Sequence, residues 1–341
     1  MNLSRVKRTL VNMAGKSLAG KVCLVTGATR GIGRGIALQL GENGAIVYIT
    51  GRTLEAPKGP GSSLKETARE IELRGGRCIP VQCDHADDDD IKELFERIDR
   101  EQSGQLDILV NNAYSAVFTI FNNVGKQFWE QPLSMWDDVN NVGLRNHYLC
   151  AVHAAKMMVP RKSGLIVNVS SAGGLRYLFN VCYGIGKEAC DRMAADCGLE
   201  LRKHNVAFVS LWPGAVRTEN LEHILSTADV SDHKMTGSMK EMERAKQLFE
   251  NGESTEFSGK CIFGLATDPN LMKKSGKIHL TCDLGEEYGF LDKGGRKPFH
   301  MRQLNYIIPL RYPKLQWVAS WLPNYVRVPT WIMAMAGNKM Y

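Results

Sequence analysis

Short apolar runs alternate with amphipathic stretches over residues 21–283. The runs are continuously apolar, which is typical of strands buried on both faces of a parallel sheet, and the stretches between them have helical spacing. The predicted strands are 21–26, 45–50, 78–84, 106–113, 165–171, 206–214 and 277–283. The predicted helices are 32–44, 64–76, 91–104, about 128–158 and about 183–204. The alternation predicts an α/β fold, with about seven parallel strands and helices on both faces.

Four consecutive aspartates, residues 87–90, precede the third predicted helix. Acidic side chains in a first helical turn are stabilised by the positive end of the helix dipole. We therefore interpret this cluster as the start of a helix.

Composition divides the chain into three parts. Residues 1–19 form a basic arm without acids, residues 20–285 carry the alternating pattern, and residues 286–341 form an extension rich in Trp and Pro. Residues 218–260 interrupt the pattern and are predicted to be an insertion that contacts substrate, because α/β sheets bind ligands beyond the carboxyl ends of their strands. Two interpretations of the arm are open, a mitochondrial targeting segment and a basic surface arm.

Charge and cysteine content exclude some classes of function. The net charge is +7, but the basic residues are dispersed, so no nucleic-acid partner is predicted. The nine cysteines are odd in number and lack CxxC spacing, which indicates reduced, buried thiols in an intracellular protein. The eight histidines show no matching spacing, so no metal site is predicted.

The segment TGATRGIG, residues 26–33, lies between the first predicted strand and the helix that follows. Glycines at 27, 31 and 33 allow a tight turn and a close approach of a pyrophosphate to the helix N-terminus. This pattern predicts a dinucleotide site formed by Gly27, Arg30, Gly31, Ile32 and Gly33.

The ends of the next strands bear on which dinucleotide binds. A carboxylate after the second strand would bind a free ribose 2′-hydroxyl, whereas this chain has Arg52 there, with Arg30 in reach. Because guanidinium groups bind phosphate, NADP(H) is favoured over NAD(H). Asp84, after the third strand, suits the adenine amino group, and Asn111, at the end of the fourth, suits the adenine-side ribose and neighbouring backbone.

The segment YGIGK places Tyr183 and Lys187 four residues apart, on one face of a helix. A phenol is a poor acid or base near neutral pH, but a nearby ammonium stabilises its phenolate. Lys187 could also hold the nicotinamide ribose. A serine at the end of the preceding strand would hold the substrate oxygen, and Ser170 and Ser171 both lie there. Alignment of this strand with the motif of a known family selects Ser171, whereas the family's usual spacing before the tyrosine selects Ser170. We favour Ser171, because a one-residue loop deletion is cheaper than a shift of strand register that reverses the two faces.

The combination of TGxxxGxG, NNA, a strand ending in Ser-Ser, YxxxK and PG at 213–214 resembles the short-chain dehydrogenase/reductase family over about residues 20–285. The resemblance implies a Rossmann-type, doubly wound sheet and hydride transfer at a carbonyl or alcohol carbon. It implies Tyr183 as the acid/base, Lys187 as its partner, and a homo-oligomer. It also implies a nicotinamide-side loop formed by Pro213, Gly214, Val216 and Thr218.

Two further departures from the family pattern concern the catalytic region. The family's NNAG reads NNAY here, so Tyr114 would crowd the nicotinamide or line the substrate pocket. The position of the family's assisting Asn holds Gly143, and a local helix irregularity could present Asn141 instead. Together with Tyr114, Phe179 and Cys182 are predicted to line an apolar substrate pocket, with Cys182 as a packing residue rather than a nucleophile.

Stretches outside the shared motifs, such as MWDDVNNVGLR and the tail ending in VPTWI, resemble one particular member of the family. That closer resemblance implies an NADPH-dependent carbonyl reductase of lipophilic substrates, such as steroids and xenobiotic ketones, associated with the endoplasmic reticulum. Cytoplasmic and mitochondrial locations are the alternatives.

Other functional classes are open. Gly143 is compatible with an NADP(H)-binding sensor or membrane-surface scaffold that has little turnover, and the extension alone is compatible with a membrane-shaping protein. Trp317 and Trp321 lie four residues apart. They could dock on the chain's own core, form a dimer contact, or contact a membrane peripherally.

Overall fold

The computed structural model describes residues 17–56, 62–227 and 252–337. Most of the basic arm and most of the predicted insertion lie outside the described residues, so the interpretations of these segments stay predictions.

The described chain forms a seven-stranded sheet in which every pairing is parallel. The strands are β1 Val22–Val25, β2 Ile46–Gly51, β3 Arg77–Gln82, β4 Ile108–Asn111, β5 Gly164–Val169, β6 Val206–Trp212 and β7 Ile278–Leu280. Their spatial order is β3-β2-β1-β4-β5-β6-β7. The order reverses between β1 and β4, which is the point where a doubly wound sheet binds its ligand. The predicted fold class is confirmed.

The helices connect these strands and continue beyond them. They are α1 Gly31–Glu42, α2 Leu64–Leu73, α3 Asp88–Glu101, α4 Val117–Phe121, α5 Met135–Asn140, α6 Asn146–Arg161, α7 Val181–Leu201, α8 Glu219–Thr227, α9 Thr255–Ala266, α10 Leu271–Lys274, α11 Thr281–Tyr288, α12 Leu304–Arg311, α13 Gln316–Ala319 and α14 Thr330–Gly337. Helix α3 begins as predicted, since the Asp87 carboxylate accepts hydrogen bonds from the backbone N–H groups of Asp89 and Asp90.

Apolar cores cover both faces of the sheet. On one face, side chains such as Ile36 of α1 and Phe257 of α9 are fully buried against the strands. On the other, Leu94 of α3 and Ala154 of α6 pack against the strands in the same way. Burial on both faces explains why the strand sequences are continuously apolar.

Three predicted segments differ from the structure. The strand predicted over 277–283 ends at residue 280, because residues 281–283 already belong to α11. The insertion was predicted to reach residue 260, but α9 packs against α1 as part of the core. The helix predicted over 128–158 begins at Met135 and is interrupted at Val142 and Gly143, whose backbone angles are not helical. The spacing of apolar residues indicates which face of a helix is buried. It does not show that the backbone leaves the helical conformation at a glycine such as Gly143.

The C-terminal extension joins the sheet domain through charged contacts, and α11 continues past the predicted boundary at residue 285. The Arg302 guanidinium donates to Asp283 of α11 at 2.5 and 3.1 Å, and Arg327 pairs with Glu286. Trp317 and Trp321 are 68% and 84% exposed, so the alternative that they dock on the chain's own core is wrong. None of the helices in the described residues is both long and apolar enough to cross a membrane.

Candidate active site

The loop between β1 and α1 is shaped as a cradle at the point where the strand order reverses. Gly27 has a positive φ of +68°, and a Cβ there would lie 2.7 Å from Cα of Ala113, at the end of β4. A Cβ at Gly33 would collide with the carbonyl oxygen of Gly27. The loop therefore requires glycine at these predicted positions, as expected for a backbone that closely approaches a phosphate group.

Asn112 and Thr26 hold this loop in place, and sequence reasoning assigned neither residue a role. The Asn112 amide donates to the carbonyl oxygens of Thr26 and Gly27 at 2.9 and 3.0 Å. The Thr26 hydroxyl oxygen accepts from the backbone N–H groups of Asn112 and Ala113. The consecutive residues Asn111 and Asn112 at the end of β4 were a signal in the sequence, but we assigned the cofactor contact to Asn111 and none to Asn112.

The predicted contact of the Asn111 side chain with the ribose is wrong, whereas its predicted contact with backbone is present. Its side chain is completely buried, and its amide donates to the carbonyl oxygen of His147 at 3.1 Å and to Oδ1 of Asn168 at 3.0 Å. Asn111 and Asn168 are register partners in β4 and β5, so this side chain joins two strands inside the protein. A fully buried side chain cannot reach the ribose of a bound dinucleotide.

The N-terminus of α1 already holds an anionic group. An Oε2 of Glu219 accepts a hydrogen bond from the backbone N–H of Gly31 at 2.8 Å, and Arg34 lies 3.7 Å from the other carboxylate oxygen. Arg30 donates to Asn220 at 3.2 Å. This end of α1 thus accommodates a negative group, so these residues fit the phosphate of a dinucleotide.

The other predicted dinucleotide contacts lie at the same edge. Arg52 directly follows β2 and is exposed, and Asp84 is half-buried after β3. The Asp84 carboxylate accepts from the N–H of Ala86 at 3.0 Å. Ile32 lies in the first turn of α1, where its side chain packs on the core.

The segment after β6, which contains the predicted Pro213, Gly214, Val216 and Thr218, lies beside the phosphate loop. A Cβ at Gly31 would be 3.5 Å from Cγ2 of Thr218. Val216 pairs with Glu253 in an isolated bridge, and the Glu253 N–H donates to the carbonyl oxygen of Ala215 at 2.8 Å.

The side chain of Glu253 connects this segment to the start of α11. Its carboxyl accepts from the Thr281 hydroxyl at 2.8 Å, and it is only 2% exposed. Burial raises its pKa to about 8. Sequence reasoning missed Glu253, because it lay in a polar segment with no motif to distinguish one acid from its neighbours.

Tyr183 and Lys187 lie together in the first turns of α7. The Asn180 side chain caps this helix by accepting from the N–H of Tyr183 at 2.8 Å. Lys187 is 8% exposed, and its ammonium donates to the carbonyl oxygen of Val169 at 3.1 Å. The ammonium is 5.8 Å from the centroid of the Tyr183 ring. The structure therefore brings the predicted acid/base and its cation together.

The two candidate serines have different environments. Ser170 is buried, and its hydroxyl donates to the carbonyl oxygen of Lys187 at 3.0 Å, so it is turned toward α7. Ser171 is partly exposed. A Cβ at Gly173 would collide with Cε1 of Tyr183 and would lie 3.5 Å from the Ser171 hydroxyl. The Ser171 hydroxyl and the Tyr183 ring thus flank the same point, and this geometry favours Ser171 for holding a substrate oxygen.

Asp191 fixes α7 to the sheet behind the site. Its carboxylate accepts from the Ser210 hydroxyl at 2.5 Å and from the Trp212 indole N–H at 2.9 Å. Burial raises its pKa to about 6. Asp191 lies one helical turn after Lys187. Nothing in the sequence distinguished it from the other acidic residues of this helix.

The predicted local helix irregularity is present between α5 and α6, where Val142 and Gly143 have non-helical backbone angles. Asn141 is half-buried there, and its role stays a prediction. Asn140 is 5% exposed, and its amide lies so close to α7 that a Cβ at Gly186 would collide with Oδ1. Both polar atoms of that amide have no hydrogen-bond partner among the described residues. Asn140, which sequence reasoning did not favour, therefore faces the helix that carries Tyr183 and Lys187.

Tyr114 lies against the same interruption. A Cβ at Gly143 would be 2.6 Å from Cδ2 of Tyr114, and the Lys187 ammonium is 4.9 Å from the centroid of the Tyr114 ring. The Tyr114 and Tyr183 rings meet edge to face, with centroids 6.3 Å apart. Tyr114 therefore lies against both Lys187 and Tyr183, and its predicted contact with a substrate stays a prediction.

Aromatic side chains form the open side of the site. The Phe179 ring meets Tyr183 edge to face at 5.1 Å and is 40% exposed, and Phe121 packs on Phe179 at 5.8 Å. Cys182 is half-buried, and burial raises the pKa of its thiol, which agrees with a packing role. An apolar substrate would meet these rings before it reached Tyr183.

The fold also gathers three potential metal ligands that sequence spacing could not reveal. Ligand atoms of Cys282, Asp283 and His300 lie within 4.8 Å of one another. Arg302 already donates twice to the Asp283 carboxylate, so a cation would compete with a guanidinium for this ligand. The group lies at the junction with the extension and contributes to its attachment.

Comparisons with known proteins agree with this geometry. Residues 21–229 match the family described as "short chain dehydrogenase". The chain is 50% identical over 322 residues to "Dehydrogenase/reductase SDR family member 1" of Mus musculus, with 94% of this chain and 98% of that protein covered. This relative is the family member that the sequence outside the shared motifs indicated, so the closer resemblance is confirmed.

Solved structures are similar as well. A putative short-chain alcohol dehydrogenase from Sinorhizobium meliloti 1021 superimposes with a TM-score of 0.62 at 26% identity, covering 78% of this chain and 96% of that chain. A metagenomic short-chain oxidoreductase in complex with NADP has a TM-score of 0.57 at 25% identity, covering 77% of this chain and 97% of that chain.

Proposed function

The chain belongs to the short-chain dehydrogenase/reductase family of oxidoreductases, and from this premise we propose that it is an NADPH-dependent carbonyl reductase of lipophilic ketones. Steroids and xenobiotic ketones are the proposed substrate class. The observation that carries the proposal is the arrangement of Tyr183, Lys187 and Ser171 at one point beside a wall of aromatic rings.

Each catalytic side chain has a defined task. Bound NADPH supplies the hydride that reaches the carbonyl carbon. The Tyr183 hydroxyl donates a proton to the carbonyl oxygen, and general acid catalysis of this kind contributes ~10²–10⁴-fold. The Ser171 hydroxyl donates a hydrogen bond that holds the same oxygen. Lys187 stabilises the phenolate that proton donation leaves on Tyr183. The reverse oxidation of an alcohol uses the same groups.

The preference for NADP(H) rests on Arg52. It follows β2 directly, where an acid would favour a free ribose hydroxyl, and it is exposed to a ligand. Arg30 donates to Asn220 in this structure and supports the preference less directly. NADP in the complex of the metagenomic relative is compatible with this choice.

The proposal is tested by incubating purified protein with NADPH or NADH and a panel of steroid and aromatic ketones. We expect consumption of NADPH in preference to NADH. Arg52→Ala should weaken binding of NADPH while leaving binding of NADH nearly unchanged. Tight binding without turnover across the panel would instead favour the sensor or scaffold alternative.

We also propose that the extension contacts an anionic membrane surface peripherally and that the protein associates with the endoplasmic reticulum in this way. Trp317, Trp321 and Trp331 are all more than half exposed, and residues 293–341 contain Lys and Arg but no acid. Exposed indole rings beside basic residues suit a membrane interface. Sedimentation with phosphatidylserine vesicles should retain the protein and should lose it after Trp317→Ala and Trp321→Ala. Retention of the double variant would overturn the role of these indole rings, and a doubled mass in light scattering that both substitutions abolish would favour a homo-oligomer contact instead.

A further inference from the structure

Two departures from the family pattern meet at one place in the structure. The chain has Tyr114 where the resemblance leads one to expect Gly, and Gly143 where it leads one to expect Asn. A side chain at position 143 would lie 2.6 and 2.8 Å from two carbons of the Tyr114 ring. The ring therefore fills the space that a side chain at residue 143 would need.

The backbone at Gly143 is held in a shape that accommodates the ring. Its φ of +152° is unsuited to other residues. Its N–H donates to Oδ1 of Asn146 at 2.7 Å, and its carbonyl oxygen accepts from the Cys190 thiol at 3.3 Å. Both backbone groups are thus satisfied by side chains, and the interruption is a fixed part of the site.

The Tyr114 ring faces the ammonium of Lys187. Their separation of 4.9 Å from Nζ to the ring centroid is shorter than the 5.8 Å to the Tyr183 ring. In the described part of the chain, no carboxylate forms an ion pair with Lys187, and Val169 supplies its one hydrogen-bond acceptor. A buried cation with so few partners is stabilised strongly by an aromatic face, because burial reduces the screening of the attraction by solvent.

The Tyr114 hydroxyl does not explain the position of this residue. It is buried and has no hydrogen-bond partner among the described residues. Leaving a buried hydroxyl unpaired is unfavourable. The contacts that tyrosine makes here are those of its ring.

We propose that Tyr114 is a positioning residue whose ring holds the Lys187 ammonium beside Tyr183, in the space left by Gly143. The role of Lys187 in catalysis belongs to the proposed function, and this inference rests on it. Where the family pattern leads one to expect the polar side chain of an Asn at position 143, this chain has the aromatic face of Tyr114. As a result, the cation that stabilises the Tyr183 phenolate stays in place without a carboxylate.

Two other titratable groups lie near the ammonium and are neutral near neutral pH. Burial lowers the pKa of His147 to about 3 and raises that of the Cys190 thiol to about 11. His147 therefore stays neutral throughout the test, whereas the Cys190 thiol ionises in the alkaline range and its signal is subtracted by comparison with the Tyr183→Phe counterpart. Tyr114 itself stays protonated there, since burial raises its pKa.

The test compares Tyr114→Leu, which removes the aromatic face, with Tyr114→Phe, which removes only the unpaired hydroxyl. Ionisation of Tyr183 is followed without substrate as the ultraviolet difference between each protein and its Tyr183→Phe counterpart. We expect the midpoint to rise by about one pH unit in Tyr114→Leu and to stay unchanged in Tyr114→Phe. In turnover, kcat should fall about tenfold or more in the Leu variant only.

The outcomes separate this inference from the proposed function. An unchanged midpoint in Tyr114→Leu, or an equal rise in both variants, would overturn the role of the ring. Loss of kcat with reduced thermal stability and an unmoved midpoint would show a packing role only and would also overturn it. A wild-type protein without turnover that still shows the Leu-specific rise would refute the reductase and leave the positioning role standing.

Discussion

The ring of Tyr114 occupies the space that a side chain at Gly143 would need: a Cβ there would lie 2.6 Å from Cδ2 of Tyr114. The two residues are 29 positions apart in the sequence, and each looked like an isolated departure from the family pattern. In the structure they form one contact, directly beside Lys187. A departure that weakened the case for an enzyme in the sequence therefore becomes part of the site's architecture.

Gly143→Ala is expected to destabilise the protein by about 1–3 kcal/mol, because the new Cβ meets the Tyr114 ring and the backbone has an unfavourable φ. In a Tyr114→Ala background the steric part of this cost should disappear, and only the backbone part should remain. Urea unfolding of the four proteins measures the coupling. Equal costs in the two backgrounds would contradict the contact.

Ser171→Ala and Ser170→Ala should affect different properties. Removal of the Ser171 hydroxyl should lower kcat/KM about 10²-fold, because a hydrogen bond to the reacting oxygen is lost. Removal of the buried Ser170 hydroxyl should cost about 1 kcal/mol of stability, because the Lys187 carbonyl loses its donor, and turnover should change little. Steady-state kinetics and thermal unfolding check both. The reverse pattern would assign substrate binding to Ser170.

Glu219→Gln is expected to tighten NADPH binding roughly three- to tenfold, because the Glu219 carboxylate accepts the hydrogen bond of the Gly31 N–H at the start of α1. A phosphate that binds there must displace a like-charged group. Glu222→Gln, on the same helix but paired with Arg217, is the matched control and should leave the affinity unchanged. Fluorescence titration with NADPH measures both variants. Weaker binding by Glu219→Gln would show that the carboxylate helps the cofactor to bind.

Glu253 makes stability depend on pH with a defined sign. Burial raises its pKa from 4.5 to about 8, so between these values the folded protein holds a proton that the unfolded chain releases. The free energy of unfolding should therefore decrease as pH rises through this window, by up to about 1.4 kcal/mol per pH unit, and the contribution should be constant above it. Glu253→Gln should remove that slope. A slope that persists in the variant would assign the pH dependence to other groups.

Sequence reasoning recovered what local spacing and strand ends determine. The i and i+4 spacing of Tyr183 and Lys187 placed both on one helix face, and the glycines of residues 26–33 occupy the predicted loop. Apolar runs identified the strands of the described sheet, most clearly the central ones, because burial on both faces leaves that mark. The run predicted over 277–283 was too long, since β7 is a short edge strand and residues 281–283 are helical.

The roles that the sequence did not predict correctly follow from long-range contacts and backbone conformation, which the spacing of residues along the chain does not show. Asn111 lies at a strand end as predicted, but its side chain points into the sheet, where Asn168 of the neighbouring strand binds it. Gly143 interrupts a helix through a positive φ that no hydrophobic pattern reveals. The roles of Asn112, Asp191 and Glu253 follow from partners far away in the chain, so they became visible only in the folded structure.

The central claim, that Tyr183 donates the proton in an NADPH-dependent reduction, is tested most directly by comparing wild type with Tyr183→Phe. NADPH consumption with an apolar ketone and NADPH affinity should be measured on the same preparations. We predict turnover in the wild type, a fall in kcat of at least ~10²-fold in the variant, and nearly unchanged NADPH affinity. Comparable turnover in Tyr183→Phe would contradict the account.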